Sequence, residues 1–250
     1  MHKANLEIDE SYLLSERVRL LQLKTGLRAG LDAVMLAASV PAKSGEKILD
    51  LGCGTGGAGL CVLGRVPDAC LTGFDIQDDL IGLARQSAIL NKWECDFIVG
   101  DVRDKSALPL DHFDHALCNP PYLQAGTWYD TPDQTRSKQL GKKDGDAVLQ
   151  DWIDCLQRVI KPSGTISIIH RADHADKIIQ ALGTRFGGME IWPLYPHEGE
   201  AASRIIIRAL KNRKSPAIFH PGIILHTRDG LWTGEAKAIL ESAESLSPAK

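Results

Sequence analysis

The residues best suited to chemistry in this chain stand together, as Asn119-Pro120-Pro121-Tyr122. They follow an apolar run that predicts the end of a buried strand, and neither proline has an N–H with which a helix or sheet could continue. The side-chain oxygen of Asn119 and the carbonyl oxygen of Pro120 can accept hydrogen bonds from both N–H groups of one planar amine, such as adenine N6. Tyr122 offers a face on which its ring can stack. A plain Asn-Pro turn is the alternative.

The composition indicates which class of protein carries this motif. The 250 residues are 44% hydrophobic and 24% charged, as in soluble globular proteins, and the formal net charge of −3 gives no overall basic footprint for nucleic acid. The six cysteines form no CxxC pair, and the eight histidines show no metal spacing, so we expect buried thiols and no metal. Neither an apolar signal core nor a run of transmembrane length is present, which favours a cytoplasmic protein without membrane contact.

From Lys47 onward, short apolar runs alternate with amphipathic segments. Residues 47–51 and 71–76 predict buried strands, and residues 78–91 predict a helix after the second of them. This βαβ alternation predicts an α/β fold with a doubly wound, mainly parallel sheet, in which ligands lie at the carboxyl ends of the strands. A glycine-rich loop, residues 52–57, follows the first strand, where a ligand is expected. Its glycines allow positive φ and close approach of the backbone to a bound molecule.

Taken alone, the glycine loop is ambiguous. Gly52, Gly54 and Gly57 satisfy the dinucleotide pattern G-x-G-x-x-G, and Asp75 ends the next strand at nearly the matching spacing. An NAD-binding oxidoreductase therefore stays open as the runner-up. A phosphate-binding P-loop is disfavoured, because no Gly-Lys-Ser/Thr follows.

Three acids at successive strand ends distinguish the ligands. Asp50 precedes the glycines and favours a ligand with a cationic group over a pyrophosphate. Asp75 can accept hydrogen bonds from ribose hydroxyls, and Asp101, after the third strand, can accept one from an adenine amine. S-adenosylmethionine carries an ammonium, a sulfonium, a ribose diol and an adenine amine, and no phosphate. The three acids together therefore favour S-adenosylmethionine over NAD.

These motifs resemble those of a known class. Residues 50–56, Asp-Leu-Gly-Cys-Gly-Thr-Gly, are similar to motif I of the class I S-adenosylmethionine-dependent methyltransferases, and residues 119–122 resemble their amino-methylating motif IV. The resemblance implies a Rossmann-like, seven-stranded sheet whose last strand is antiparallel. It also implies that Asp75 holds the ribose, Asp101 the adenine ring, and Asn119 with Tyr122 the target amine. Methylation of adenine N6, guanine N2 and glutamine side chains shares these motifs, so the substrate stays open.

The flanks resemble one bacterial group, the tRNA1(Val) adenine-N6 methyltransferases. The similarity includes residues 22–37, Tyr195-Pro196, residues 202–208 and residues 225–240. It implies a tRNA substrate, with the target adenine next to the anticodon of a valine tRNA. An Ala-Arg-His-Glu-like stretch of that group reads Thr-Arg-Ser-Lys-Gln here, at residues 135–139. A protein glutamine methyltransferase is the alternative enzyme, and a non-catalytic binding module is a third hypothesis.

The predicted site and organisation follow from these arguments. The predicted catalytic residues are Asn119, Pro120, Pro121 and Tyr122. The predicted residues that bind S-adenosylmethionine are Asp32, Asp50, Gly52, Gly54, Gly56, Asp75, Ile76, Asp101, Val102 and Asn119. Basic residues predicted to contact RNA, with solvated surface as the alternative, are Arg136, Lys138, Lys211 and Arg213. We expect a monomer with an N-terminal extension and first helix at 1–44, a methyltransferase core at 45–210, and a basic C-terminal extension at 211–250 on or beside the core.

Overall fold

Strands and helices alternate through most of the chain. The computed structural model describes residues 7–25, 28–121 and 147–246. Its strands are β1 (Ile8–Leu13), β2 (Val18–Leu23), β3 (Lys47–Leu51), β4 (Cys70–Asp75), β5 (Asp96–Val99), β6 (Phe113–Cys118), β7 (Ile160–Arg171), β8 (Phe186–Tyr195), β9 (Arg204–Lys211), β10 (Ile218–Phe219) and β11 (Ile223–Ile224). Its helices are α1 (Leu31–Ala38), α2 (Gly57–Arg65), α3 (Asp78–Leu90), α4 (Leu149–Val159), α5 (Ala175–Leu182) and α6 (Gly234–Ser242), with a 3-10 turn at Ala172–His174.

The central sheet has the order β8-β9-β7-β6-β3-β4-β5. Its strands are parallel except β9, which runs antiparallel to both β7 and β8. The predicted mainly parallel, doubly wound α/β sheet is thereby confirmed, together with the antiparallel last strand. Two short strands from the C-terminal part of the chain, β10 and β11, extend this sheet by pairing in parallel with β8.

Helices cover both faces of the sheet. Successive residues of a strand point to opposite faces, so neighbouring residues of one strand pack into different apolar clusters. In β3, Ile48 packs into one apolar cluster together with residues of α1, α2 and α3. Leu49 and Leu51 pack into a second cluster, together with residues of α4 and α5. This arrangement leaves the ends of the strands, rather than their faces, as the place where polar side chains can gather.

The N-terminal hairpin is held against α3 by side-chain hydrogen bonds. The N–H of Arg19 donates to Asn91 Oδ1, and the N–H of Leu21 donates to Ser87 Oγ, both at 2.9 Å. These two backbone N–H groups on the edge of β2 are thus hydrogen-bonded to side chains of α3 and its C-cap instead of to another strand. The first helix predicted within residues 1–44 is α1, whereas the pairing of β2 with β1 was not predicted.

Candidate active site

The candidate site lies where β3, β4, β5 and β6 end together. Strand register pairs Leu51, the last residue of β3, with Phe74 on one side and with Cys118 on the other. Asp75 in turn pairs with Val99, the last residue of β5. The residues that follow these positions therefore meet at one edge of the sheet. The order of the strands reverses at β3, so this edge contains the switch point at which open α/β sheets bind ligands.

The glycine loop after β3 adopts a conformation that side chains disfavour. Gly52, Gly54 and Gly56 have φ of +75°, +54° and +86°, and Gly56 forms the N-cap of α2. At Gly52 a second constraint applies, because an added Cβ would lie 2.4 Å from the indole ring of Trp152. The loop is therefore shaped both by its own backbone and by a side chain from α4.

Asp50 lies beneath this loop and is only 3% exposed. The N–H of Gly59, in the first turn of α2, donates to Asp50 Oδ2 at 2.8 Å. Burial raises the pKa of Asp50 to about 7, against the lowering effect of that hydrogen bond. Its carboxyl group holds the loop against the helix. The predicted contact between Asp50 and a cationic ligand stays a prediction.

Asp75 connects the glycine loop to the start of α3. Its Oδ2 accepts a hydrogen bond from the N–H of Gly54 at 2.8 Å, and its Oδ1 accepts one from the N–H of Gln77 at 2.9 Å. The next residue, Ile76, is 62% exposed, which places an open aliphatic surface directly beside the acid. A carboxylate acceptor adjacent to an apolar surface suits a ribose joined to a planar base.

Asp101, after β5, forms an ion pair with Arg103. Arg103 Nε donates to Asp101 Oδ1 at 2.9 Å, and the N–H of Arg103 donates to the same oxygen at 2.9 Å. These bonds from Arg103 hold the pKa of Asp101 below its usual range, so the group is an ionised acceptor. A bound adenine would share this carboxylate with the guanidinium. Val102 lies between the two residues and is half-buried.

The motif after β6 begins at the edge described above. Cys118 is buried between Leu51 and Ile168 of the neighbouring strands. Asn119 is then exposed, Pro120 buried and Pro121 exposed, so the chain leaves the sheet at once. Because Leu51 and Cys118 are paired, Asn119 follows its strand at the same level as Gly52. The predicted residues Tyr122, Arg136 and Lys138 lie outside the described part of the chain.

Asp32 lies at the same edge, in the first turn of α1. Its Oδ2 accepts a hydrogen bond from Arg204 Nε at 3.0 Å. Arg204 begins β9 and pairs in register with Arg171 at the end of β7, which places both arginines at the carboxyl edge. The predicted cofactor role of Asp32 stays a prediction, and within the protein its carboxylate binds a guanidinium.

The structure places Lys211 and Arg213, which were predicted to contact RNA, on the edge of the sheet opposite Asn119. Lys211 is 6% exposed, and its Nζ donates to Asp111 Oδ1 at 2.6 Å and to the carbonyl oxygen of Ile160 at 2.8 Å. Since β9 is antiparallel, its end lies at the amino edge of the parallel strands, opposite Asn119. Arg213 follows on that opposite edge, and its Nε donates to Ser215 Oγ.

Two residues at the site carried no clear signal in the sequence. Trp152 packs on Gly52, and its Nε1 is buried with no hydrogen-bond partner among the residues that the structure describes. His170 lies within β7, buried, where desolvation and the neighbouring His174 lower its pKa to about 4. In the sequence alone, an isolated tryptophan on an amphipathic helix cannot be distinguished from an ordinary core residue.

The site therefore combines a glycine loop with positive φ, the carboxylate acceptors of Asp75 and Asp101, and the exposed aliphatic side chain of Ile76. The residues present fit S-adenosylmethionine. In this geometry Asp75, Ile76 and Asp101 would hold the adenosine part, and the loop at residues 52–56 would approach the rest of the molecule.

Comparisons with known proteins agree with this geometry. The family model of the methyltransferase small domain matches residues 29–133. A tRNA1(Val) (adenine(37)-N6)-methyltransferase of Vibrio parahaemolyticus is 24% identical over 208 residues, which are 83% of this chain and 84% of that protein. The protein of the same name from Bacteroides thetaiotaomicron is 27% identical over 163 residues, which are 62% of this chain and 64% of that protein.

Solved structures show the same fold. The crystal structure of a predicted O-methyltransferase from Agrobacterium tumefaciens is 26% identical, has a TM-score of 0.72 and covers 88% of this chain and 99% of its own. An S-adenosylmethionine-dependent O-methyltransferase from Thermotoga maritima, 16% identical, has a TM-score of 0.53 and covers 77% of this chain and 69% of its own.

The chain is an S-adenosylmethionine-dependent methyltransferase with a Rossmann-like fold. The cofactor of this methyltransferase is S-adenosylmethionine, and the NAD alternative that the glycine loop left open is set aside. Within the described residues of the methyltransferase, no cluster of His, Cys, Asp or Glu has the arrangement of a metal site. In the same part of the chain, no helix combines the length and apolar character needed to cross a membrane.

Proposed function

We propose that the methyltransferase methylates the exocyclic N6 amine of an adenine in tRNA, next to the anticodon of a valine tRNA. The observation that carries this proposal is the position of Asn119. It is exposed at the carboxyl edge, at the level of Gly52, and is followed by two prolines that direct the chain away from the sheet. An amine held there would lie beside the glycine loop.

The chain's residues supply acceptors and position. The side-chain oxygen of Asn119 and the carbonyl oxygen of Pro120 would each accept one N–H of the amine, which draws its lone pair away from the ring. When bound, S-adenosylmethionine supplies a methyl group made electrophilic by its sulfonium. In that transfer an N–C bond would replace the C–S bond, and the extra proton of the amine would pass to water. Alignment of the two reactants accounts for the catalysis we assign to these residues.

Two further considerations support tRNA as the substrate. The relatives described above carry the name tRNA1(Val) (adenine(37)-N6)-methyltransferase. An adenine must also leave its stack before it can enter an edge site, and this costs least in a single-stranded loop. We assign the reaction to a cytoplasmic monomer, as the sequence predicts.

The test is mass spectrometry of nucleosides from purified tRNA of a strain that lacks the gene. We expect loss of N6-methyladenosine from one tRNA, and its return when the gene is restored. The control is restoration with Asn119→Ala, which should keep its affinity for S-adenosylhomocysteine within a few-fold and fail to restore the modification. An unchanged tRNA profile, together with loss of methylglutamine from a protein, would overturn the proposal in favour of a protein substrate.

A further inference from the structure

The carboxyl edge of the sheet continues beyond Asn119, past β7, β9, β8 and β11. Arg171 at the end of β7 pairs with Arg204 at the start of β9, and Arg204 pairs with Leu194 near the end of β8. Past β11, the N–H of Leu225 donates to the carbonyl of Tyr195 at 2.8 Å. The N–H of His226 likewise donates to Pro196 at 3.0 Å. We call this stretch the outer rim, defined by Arg171, Arg204, His197, His226 and Trp232.

The outer rim lies on the half of the sheet away from Asp75, Ile76 and Asp101. Asp75, Ile76 and Asp101 follow β4 and β5, on one side of the switch point, whereas the rim follows β7, β9, β8 and β11 on the other side of Asn119. From β6 to β11 there are four strand steps of roughly 4.8 Å each, or about 19 Å. This distance corresponds to a few nucleotides of a single strand that enters the site at Asn119.

The near part of the rim carries guanidinium groups held in place by acids. Arg171 Nε donates to Asp173 Oδ1, and Arg204 Nε donates to Asp32 Oδ2, both at 3.0 Å. Both arginine side chains keep a substantial exposed fraction. A guanidinium has five N–H donors in a fixed plane, so a pair with one carboxylate sets the orientation of the whole group. Oriented guanidiniums suit phosphate oxygens.

The far part of the rim is aromatic. The rings of His226 and Trp232 are stacked, with centroids 4.3 Å apart and planes inclined by 23°, and His197 lies 5.6 Å from His226. A bridge between residues 226 and 232 holds the stack across the turn that joins them. Trp232 is nonetheless 39% exposed. A large indole that is fixed on one side and open to solvent on the other is a surface on which a base can stack.

We propose that the outer rim binds the single-stranded RNA that flanks the target adenine, with Arg171 and Arg204 on phosphates and Trp232 stacked on a base. This inference rests on the proposed function, since it assumes an RNA substrate. Continuity with Asn119 and the sequence of cations followed by an aromatic platform favour RNA over an extended peptide.

The stacking part is tested with a fluorescent anticodon stem-loop RNA, by anisotropy, on the full chain. Trp232→Leu should weaken binding roughly 5- to 150-fold, as expected for removal of one base–aromatic stack. Trp232→Phe, which keeps a planar ring, should recover most of the affinity and so excludes a purely structural effect. The matched control is Phe219→Leu. Phe219 is also exposed, but it pairs with Ile191 in the middle of β8, away from the rim, and its replacement should change nothing.

The phosphate part is tested by the salt dependence of the same binding. Arg171→Gln should weaken binding and reduce the slope of log K against log salt by roughly 0.7 for each phosphate that is no longer neutralised. Arg213→Gln removes the same charge on the opposite edge and should leave the slope unchanged. All variants should bind S-adenosylhomocysteine as the unmodified protein does.

The outcomes separate this inference from the proposed function. RNA that binds and is methylated equally well by Trp232→Leu and Arg171→Gln would overturn the rim assignment and leave the tRNA proposal standing. Equally weakened binding in the Phe219 and Arg213 controls would also overturn it. Absence of any RNA binding or methylation by the unmodified protein would overturn both.

Discussion

Asp50 allows a quantitative test of how the glycine loop is supported. Its carboxyl group is buried and accepts a hydrogen bond from the N–H of Gly59 at 2.8 Å, and burial raises its pKa from 3.8 to about 7. The folded state therefore holds its proton more tightly than the unfolded chain does. Stability must fall as the pH rises from about 4 to about 7, and it changes no further through this group above that range.

The magnitude follows from the size of the shift. About three pKa units correspond to about 4 kcal/mol of unfolding free energy across the full range, at about 1.4 kcal/mol per unit. Asp50→Asn keeps an oxygen acceptor for the Gly59 N–H and cannot ionise. We therefore expect the unfolding free energy of the variant, minus that of the unmodified protein, to increase steadily between about pH 5 and pH 7 and then to level off.

The assay is urea denaturation of cofactor-free protein at several pH values between about 5 and 8. Asp104→Asn is the control, because the Ser106 hydroxyl holds the pKa of the exposed Asp104 below its usual range. That acid stays ionised across this window, so its difference curve should be flat. A flat curve for Asp50→Asn as well, or one that falls with pH, would show that Asp50 is ionised in the folded protein and would refute the reasoning.

The other predictions concern the loop and the cofactor. Gly52→Ala should destabilise the protein by about 1–3 kcal/mol or more, because it combines a positive φ with a Cβ 2.4 Å from Trp152. Thermal unfolding of Gly52→Ala, Trp152→Ala and the double variant should show that the tryptophan change relieves part of that cost, and strict additivity would contradict the contact. Asp75→Ala should lose roughly 1.5–3 kcal/mol of S-adenosylhomocysteine binding by calorimetry. Unchanged affinity would remove Asp75 from the cofactor site.

Local patterns in the sequence were sufficient to predict the sheet and the edge at which the candidate site residues lie. Buried parallel strands appear in a sequence as apolar runs, and the carboxyl ends of such strands lie at one edge of the sheet. The sequence therefore predicted that Asp75, Asp101 and Asn119 lie at the same edge. The glycine loop could be predicted too, because positive φ is a property of the backbone at each glycine and not of its neighbours.

Only the tertiary structure determined which residues each side chain contacts. Lys211 and Arg213 were assigned to the site because they are charged, yet the antiparallel direction of β9 brings Lys211 to the opposite edge, where Asp111 and a carbonyl hold it buried. The contact of Trp152 with Gly52 joins residues a hundred positions apart, and the pairing of Arg171 with Arg204 depends on the register of two strands. Strand direction and register arise from packing over the whole sheet, so no local spacing encodes them.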